Sequence, residues 1–333
     1  MKKAVRASVF LSLFALLAGV PARAQILAGS PAKALDFPSR PLKFVVGFGP
    51  GGLGDIAARA VAQKMALSLG KPVVIENMPS AGGMTAAASV ARGEADGHTL
   101  LLVSGQNAIA PSLFKSVPYD WANDFASVAT ISVFDFVIVT NNDSPLKSIS
   151  DVISRAKADP AGFNIGTISV GSAQNLAALM FSSMAGLSIP IVPFRTTGDV
   201  TSNLLSNQIQ VGFETLPGVI GQIQSKSLRA LAVSSDRRVA FLADVPTMAE
   251  SGIPAYSLIS WNGVVVQKKT PKDIITRLNR AINEALAAPD VSKMFADLGI
   301  NTRPGPPEAM QAIYDTDLVR WRKVIADAKI PQQ

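Results

Sequence analysis

The sequence contains no cysteine and only one histidine among its 333 residues. Without cysteine, the chain has no disulfide bonds, thiolate metal sites, cysteine nucleophile or lipidated N-terminal cysteine. It also lacks the G-x-S-x-G elbow of many hydrolases and the H-E-x-x-H helix of metalloproteases. The single histidine, His98, follows Asp96 and Gly97, and we expect it to be a surface turn residue before a strand. No catalytic residue, metal or cofactor is therefore expected.

Only one long apolar run is present, and it spans Ala7 to Val20. It is shorter than the roughly 20 residues that cross a bilayer as a helix. Basic residues precede it and the small-residue sequence Ala22-Arg23-Ala24 follows, which is the pattern of a secretory signal peptide. An N-terminal membrane anchor is the alternative, which the short run disfavours. We therefore predict cleavage after Ala24 and a periplasmic location.

Positive charge is scarce once this segment is removed. The full chain has a formal net charge of +7, but Lys2, Lys3, Arg6 and Arg23 belong to the signal peptide, which leaves +3 for the mature protein. No cluster of lysine and arginine is long enough to bind a phosphate backbone. Nucleic acid is therefore not expected as a partner.

The rest of the chain alternates between strand and helix patterns, and it is long enough for two domains. Apolar, β-branched runs separated by amphipathic helical stretches occupy residues 43–103, and a second such set occupies residues 163–233. This alternation predicts parallel βαβ units in each half. An apolar strand at 260–267 and helices at 271–287 and 307–328 follow, and we expect these helices to pack on the first domain.

No linker rich in glycine or serine separates the halves, so crossing strands should join them, outward near 132–140 and back near 256–264. Phe134 and Phe136 lie on the outward crossing, where they either cover a ligand or pack in the core; core packing is favoured. The predicted divisions are a signal peptide (1–24), a leader (25–37), the first part of lobe 1 (38–135), lobe 2 (136–256) and the return to lobe 1 (257–333).

Three loops that follow predicted strands share a glycine-rich or hydroxyl-rich character and open directly onto helices. They span residues 47–55, 80–83 and 166–172. The first turn of a helix has free backbone N–H groups and a positive dipole end, so each loop has the geometry of an anion site. The alternative is that these glycines only make tight turns, which is common for one loop and less so for three together.

The first loop also matches the G-x-G-x-x-G dinucleotide fingerprint through Gly47, Gly49 and Gly52. Pro50 removes a backbone donor from this turn, and Asp55 adds negative charge where a pyrophosphate would lie. Export also separates the chain from nicotinamide cofactors. A dinucleotide enzyme therefore stays a minor alternative.

Several longer motifs resemble one family closely. They include FPSRP at 37–41, GFGPGGLGDIAAR at 47–59, VVIENMPSAGG at 73–83, LADVPTMAESGIP at 242–254 and SWNGVV at 260–265. On these motifs the chain resembles the Bug-type extracytoplasmic solute receptors, the substrate-binding proteins of tripartite tricarboxylate transporters. The resemblance covers nearly the whole mature chain.

This resemblance implies an α/β, type II periplasmic-binding-protein fold, with two α/β lobes joined by crossing strands and a ligand cleft between them. It implies a monomeric, non-enzymatic receptor for a dicarboxylate, tricarboxylate, aromatic carboxylate or acidic amino acid, which delivers it to the membrane components of the transporter. A role in sensing and an exported α/β enzyme remain the alternatives.

The family's site maps onto the loops described above, with two departures. This chain has Leu53 or Gly54 where the family often has a hydroxyl residue, and Glu214-Thr215 where the family often has Asp-Asn. The candidate ligand-binding residues are Pro50, Gly51, Gly52, Leu53, Asp55, Ser80, Ala81, Gly82, Gly83, Ser104, Asn107, Thr167, Gly171, Ser172 and Glu214.

Overall fold

The computed structural model describes residues 37–333, and the predicted signal peptide, its cleavage site and residues 25–36 lie outside this range. The strands are β1 (Leu42–Val46), β2 (Val73–Asn77), β3 (Thr99–Ser104), β4 (Phe125–Phe134), β5 (Phe136–Asn141), β6 (Ile165–Ile168), β7 (Ile191–Phe194), β8 (Val211–Thr215), β9 (Leu228–Val233), β10 (Ser260–Gln267) and β11 (Asn301–Thr302).

The α-helices are α1 (Leu53–Leu69), α2 (Met84–Ala91), α3 (Gly105–Leu113), α4 (Trp121–Asp124), α5 (Ile149–Ala158), α6 (Ala173–Met184), α7 (Thr197–Leu205), α8 (Leu216–Gln224), α9 (Lys272–Ala287), α10 (Pro289–Asp297) and α11 (Pro307–Asp327). Single 3₁₀ turns lie at Ala81–Gly83 and Ala240–Leu242.

The strands form two sheets. The first has the order β11-β4-β10-β3-β1-β2 and the second the order β7-β6-β8-β5-β9. In the first sheet, β1 pairs in parallel with β2 and β3. In the second, β6 pairs in parallel with β7 and β8. Both parallel sets were predicted from the βαβ patterns, since a helix that follows each strand carries the chain back for the next.

The chain passes from the first sheet to the second through a very short connection and returns through a long one, residues 234–259. β4 ends at Phe134 and β5 begins at Phe136, so Asp135 alone separates a strand of one sheet from a strand of the other. This position lies within the predicted crossing at 132–140. The chain returns after β9 and enters the first sheet again at Ser260, where β10 pairs with β4.

The packing of side chains and terminal helices follows the sequence predictions, with one exception. Phe134 and Phe136 are buried in the core, as predicted. Helix α9 packs against α1 and β4, and α11 packs against α3 and β4, so the terminal helices cover the first sheet. One cluster of buried side chains continues from Val103 of β3 and Trp261 of β10 to Phe213 of β8, so the two sheets share a core.

The exception is His98, for which the surface prediction was wrong. The side chain is buried, and its ring lies edge-on to Phe37 with 4.9 Å between ring centroids. Its Nε2 accepts a hydrogen bond from the Ser39 backbone N–H at 3.2 Å, and its Nδ1 lies 3.2 Å from the Asp96 carboxylate. His98 therefore fastens the start of the described chain to the turn before β3, a long-range packing role that local sequence does not reveal.

Candidate ligand-binding site

The topology brings the carboxyl ends of both parallel strand sets to one region. Strand β10 is antiparallel to both β3 and β4, so β3 and β4 run the same way and end at the same edge. Strand β5 is antiparallel to β8, with Phe136 opposite Thr215, so β5 starts where β8 ends. Since only Asp135 separates β4 from β5, the two carboxyl edges adjoin. Open parallel sheets bind ligands at this kind of edge.

Asp55 holds the first glycine-rich loop together. Its carboxylate accepts hydrogen bonds from the Gly51 backbone N–H at 2.9 Å, from Arg59 Nε at 2.9 Å and from Asn77 Nδ2 at 2.8 Å. Burial acts to raise the pKa of Asp55, but the hydrogen bonds from Arg59, Gly51 and Asn77 outweigh it and lower the pKa from 3.8 to about 2. Both carboxylate oxygens therefore already have partners within the protein.

The outer side of this loop is open. A Cβ atom added at Gly49 or Gly51 would meet no atom within 4 Å, and one at Gly52 would meet only the Gly49 carbonyl oxygen at 3.6 Å. Pro50, Gly51 and Gly52 are exposed, and Leu53 is half-buried at the start of α1. The N–H groups of the first turn of α1 have no acceptor within the helix and are available to an anion.

The second loop lies against the first through backbone atoms. A Cβ atom on Gly47 would lie 2.8 Å from Gly83 Cα, so the approach requires glycine at 47. Gly82 and Gly83 have φ of +59° and +67°, which side chains disfavour. Ser80 closes the turn by accepting from the Gly83 N–H through its carbonyl and from the Thr85 N–H through its hydroxyl, both at 3.0 Å. Ala81 follows Ser80 and is the first residue of the 3₁₀ turn.

Ser104 and Asn107 form the cap of α3. The Ser104 hydroxyl accepts from the Gln106 N–H at 3.3 Å, and Asn107 Oδ1 accepts from the Ser104 N–H at 2.9 Å. Asn107 Nδ2 donates to the Tyr119 hydroxyl at 3.4 Å. Both predicted residues are buried, and their hydrogen bonds orient the start of α3 at the end of β3.

The candidate loop of the second sheet is built around Asn175. Its side chain accepts from the Gly171 N–H at 3.1 Å and donates to Thr167 Oγ1 at 3.2 Å. The Ser172 hydroxyl caps α6 by accepting from the Asn175 N–H at 3.1 Å, and it donates its own hydrogen to the Ile168 carbonyl at 2.9 Å. Because that hydrogen is in use, Ser172 positions the helix start, and its hydroxyl can donate to a ligand only by releasing Ile168.

Gly171 also marks a contact between the two halves of the site. It has a φ of +76°, and a Cβ atom there would lie 2.6 Å from Leu113 Cδ2 at the end of α3. The loop after β6 of the second sheet therefore touches a helix of the first.

Glu214 is the acidic side chain at the carboxyl end of β8, and it is fully buried. Its Oε2 accepts from the Thr197 hydroxyl at 2.9 Å, while its Oε1 has no hydrogen-bond partner among the described residues. Burial raises the pKa of Glu214 from 4.5 to about 7, although Thr197, Gln174 and the Thr215 N–H act to lower it.

Three side chains that build this site were not predicted from the sequence: Asn77, Asn175 and Thr197. Each lies at a strand end or in the first turn of the following helix, a position that could have signalled it.

Among residues 37–333, no group of three or more histidine or acidic side chains is placed to share a metal ion. Within the same range, no helix is both long and apolar enough to cross a bilayer.

These features define the class: a receptor of the periplasmic-binding-protein type, with two α/β sheets whose helix starts converge on one region. The model of the tripartite tricarboxylate transporter family receptors matches residues 57–330, and the chain belongs to this family.

Relatives support both the family and the fold. Protein BugT of Bordetella pertussis is 35% identical over 320 residues, which cover 95% of each chain. Among solved structures, Rhodopseudomonas palustris Rpa4515 with adipate has a TM-score of 0.78 and 29% identity, and the match covers 90% of this chain and 100% of that one. MatC of the same organism with bound malate has a TM-score of 0.74 and 29% identity, with 87% and 100% covered.

Proposed function

We propose that this protein is a periplasmic receptor that captures a small organic carboxylate and delivers it to the membrane components of a tripartite tricarboxylate-type transporter. The observation that carries the proposal is the convergence of the α1 and α2 starts on one sheet with the α6 and α7 starts on the other. The adipate and malate bound to two structural relatives support the carboxylate class. The mature, monomeric protein would begin after Ala24.

The energetics of such a site are sufficient without a buried arginine. A hydrogen bond to a charged group contributes about 1.5 to 3 kcal/mol, and micromolar affinity needs about 8 kcal/mol net of costs. The first turn of α1, beside the open side of residues 49–52, would provide N–H groups from one sheet, and the first turns of α6 and α7 would provide them from the other. Four such bonds at the upper end of this range, about 12 kcal/mol together, would exceed that value and leave about 4 kcal/mol for those costs.

The test is a thermal-shift screen of the mature protein against adipate, malate, citrate, benzoate, aspartate and glutamate, followed by calorimetry of each hit. A carboxylate that binds the folded state should raise Tm with its concentration. The methyl ester or amide of the same compound should bind at least tenfold more weakly, because it lacks the charge that the helix starts favour. Equal affinity for acid and ester would contradict the anion site.

The same samples distinguish a receptor from an enzyme. After prolonged incubation, NMR of the free compound should show it chemically unchanged. Conversion of the compound during incubation would contradict the receptor function while leaving carboxylate binding in place.

A further inference from the structure

Glu214 lies in surroundings with almost no other ionisable group. Among the elements around it, β5, β6, α6 and α8 contain no charged or titratable side chain, and α7 contains only Asp199. Asp199 is exposed, and its carboxylate accepts from the N–H and hydroxyl of Thr196. The Asp135 backbone carbonyl accepts a hydrogen bond from the Leu216 N–H, and its carboxylate accepts one from the Ser235 N–H. No counter-charge therefore faces Glu214 from these elements.

The carboxyl group lies between two helix starts on the candidate site. Thr197, its hydrogen-bond donor, is the first residue of α7, and Gln174, which also approaches it, is in the first turn of α6. One oxygen, Oε1, is buried without a partner. A buried acceptor with an unused oxygen is costly when it is ionised and far less so when it holds a proton.

We propose that Glu214 takes up a proton when a carboxylate binds at the starts of α6 and α7, so that anion binding and protonation of this buried group are coupled. The inference rests on the proposed function, because it requires an anionic ligand at this edge. The proton comes from solvent, and no covalent bond of the ligand changes.

The physical reason is repulsion between two like charges in a poorly solvated region. An ionised Glu214 would oppose a ligand carboxylate close by, whereas the protonated form is neutral and can donate from the carboxyl group. Because burial already raises the pKa of Glu214 to about 7, both forms are populated in the free protein near neutral pH. The bound anion should raise this pKa further, so affinity should be highest below pH 7 and fall as pH rises through it.

The experiment uses the mature wild-type protein and the tightest-binding carboxylate of the screening panel. Calorimetry at pH 7 in Pipes, Hepes and Tris, which differ in ionisation enthalpy, should give an uptake of about half a proton per ligand bound. Once the ligand's own ionisation over this range is subtracted, the Kd should rise about tenfold between pH 6 and pH 8. Glu214→Gln should abolish the proton uptake and flatten this profile.

Two control variants separate Glu214 from other groups. His98 is the only histidine in the chain, and His98→Asn should keep the wild-type profile because the proposed proton is taken up by Glu214. Glu76→Gln, at an exposed pair with Lys43, should also keep it. Carboxylate binding without proton uptake in the wild-type protein would overturn the coupling and leave the receptor function standing. Absence of binding by every carboxylate of the panel would overturn the proposed function and this inference with it.

Discussion

Asp55 shows how one charged side chain can hold a glycine-rich loop together. It accepts from a loop N–H at Gly51, from the next turn of its own helix at Arg59, and from the neighbouring strand end at Asn77. Because these donors favour the ionised form, Asp55 should stabilise the folded loop whenever it is deprotonated. We infer that its role is to hold residues 47–55 in the shape that leaves the α1 start open.

This role predicts a pH-dependent loss of stability. The folded-state pKa of about 2 lies below the ordinary 3.8, so the contribution is present above about pH 4 and is lost as pH falls towards 2. Asp55→Asn should lower the free energy of unfolding at pH 7 by on the order of 2 kcal/mol. Urea unfolding at pH 7, 4 and 2.5 should show the gap between variant and wild type closing as pH falls.

A matched control is Asp297→Asn, whose carboxylate forms an exposed pair with Lys293 one helical turn away. Exposed pairs of this kind contribute little, so this variant should follow the wild type at each pH. A gap for Asp55→Asn that stays constant from pH 7 to pH 2.5 would contradict the ionised role.

At the scale of elements, the two glycine-rich loops of the first sheet form one continuous surface because their backbones are in contact at Gly47 and Gly83. A Cβ atom on Gly47 would lie 2.8 Å from Gly83 Cα, a backbone atom that cannot move away through a change of rotamer. Gly47→Ala should therefore separate the loops, lower stability by about 1 to 3 kcal/mol and weaken carboxylate binding. Thermal unfolding and calorimetry measure the two effects.

Gly49→Ala provides the comparison within the same loop. A Cβ atom there would meet nothing within 4 Å, and its φ is not in the left-handed range. Stability should change by less than about 0.5 kcal/mol. If Gly47→Ala and Gly49→Ala behaved alike in stability and binding, the contact between the loops would not matter to the site.

At the scale of the whole molecule, we expect the single-residue connection at Asp135 and the return at Ser260 to act as a hinge. Donors on both sheets would hold one ligand, and only a state in which both reach it gains the full binding energy. We therefore expect the two sheets, with their helices, to move as lobes and to close when a carboxylate binds. Gly171 already touches Leu113 across this boundary.

Because the chain has no cysteine, cysteines for spectroscopic labels can be introduced without first replacing native ones. Labels at Gln63→Cys on α1 and Ser202→Cys on α7, both exposed, should move closer when the bound carboxylate saturates the protein. A control pair at Gln63→Cys and Lys293→Cys lies on helices α1 and α10 beside the first sheet and should keep its distance. An unchanged distance between Gln63 and Ser202 would contradict closure, though not carboxylate binding.

The elements that local pattern encodes could be predicted from the sequence alone. Strand β10 at Ser260–Gln267 was predicted with these bounds, because an apolar, β-branched run can be recognised from the sequence. The family motifs likewise indicated the receptor class. In contrast, most of β4 was missed: Ser127, Thr130 and Ser132 interrupt its apolar pattern. Ser132 is tolerated inside the sheet because its hydroxyl accepts from Asn262, a partner 130 residues away.

The hydrogen-bond partners of the predicted site residues depend on contacts between distant parts of the chain. In the sequence, Asp55 and Ser172 are both polar residues on loops predicted to bind the ligand. In the folded chain, both Asp55 carboxylate oxygens and the Ser172 hydroxyl hydrogen form hydrogen bonds within the protein. Glu214 differs because the elements around it leave Oε1 without a partner. Such differences depend on donors from distant segments and on exclusion of water, and neither is encoded in the spacing of neighbouring residues.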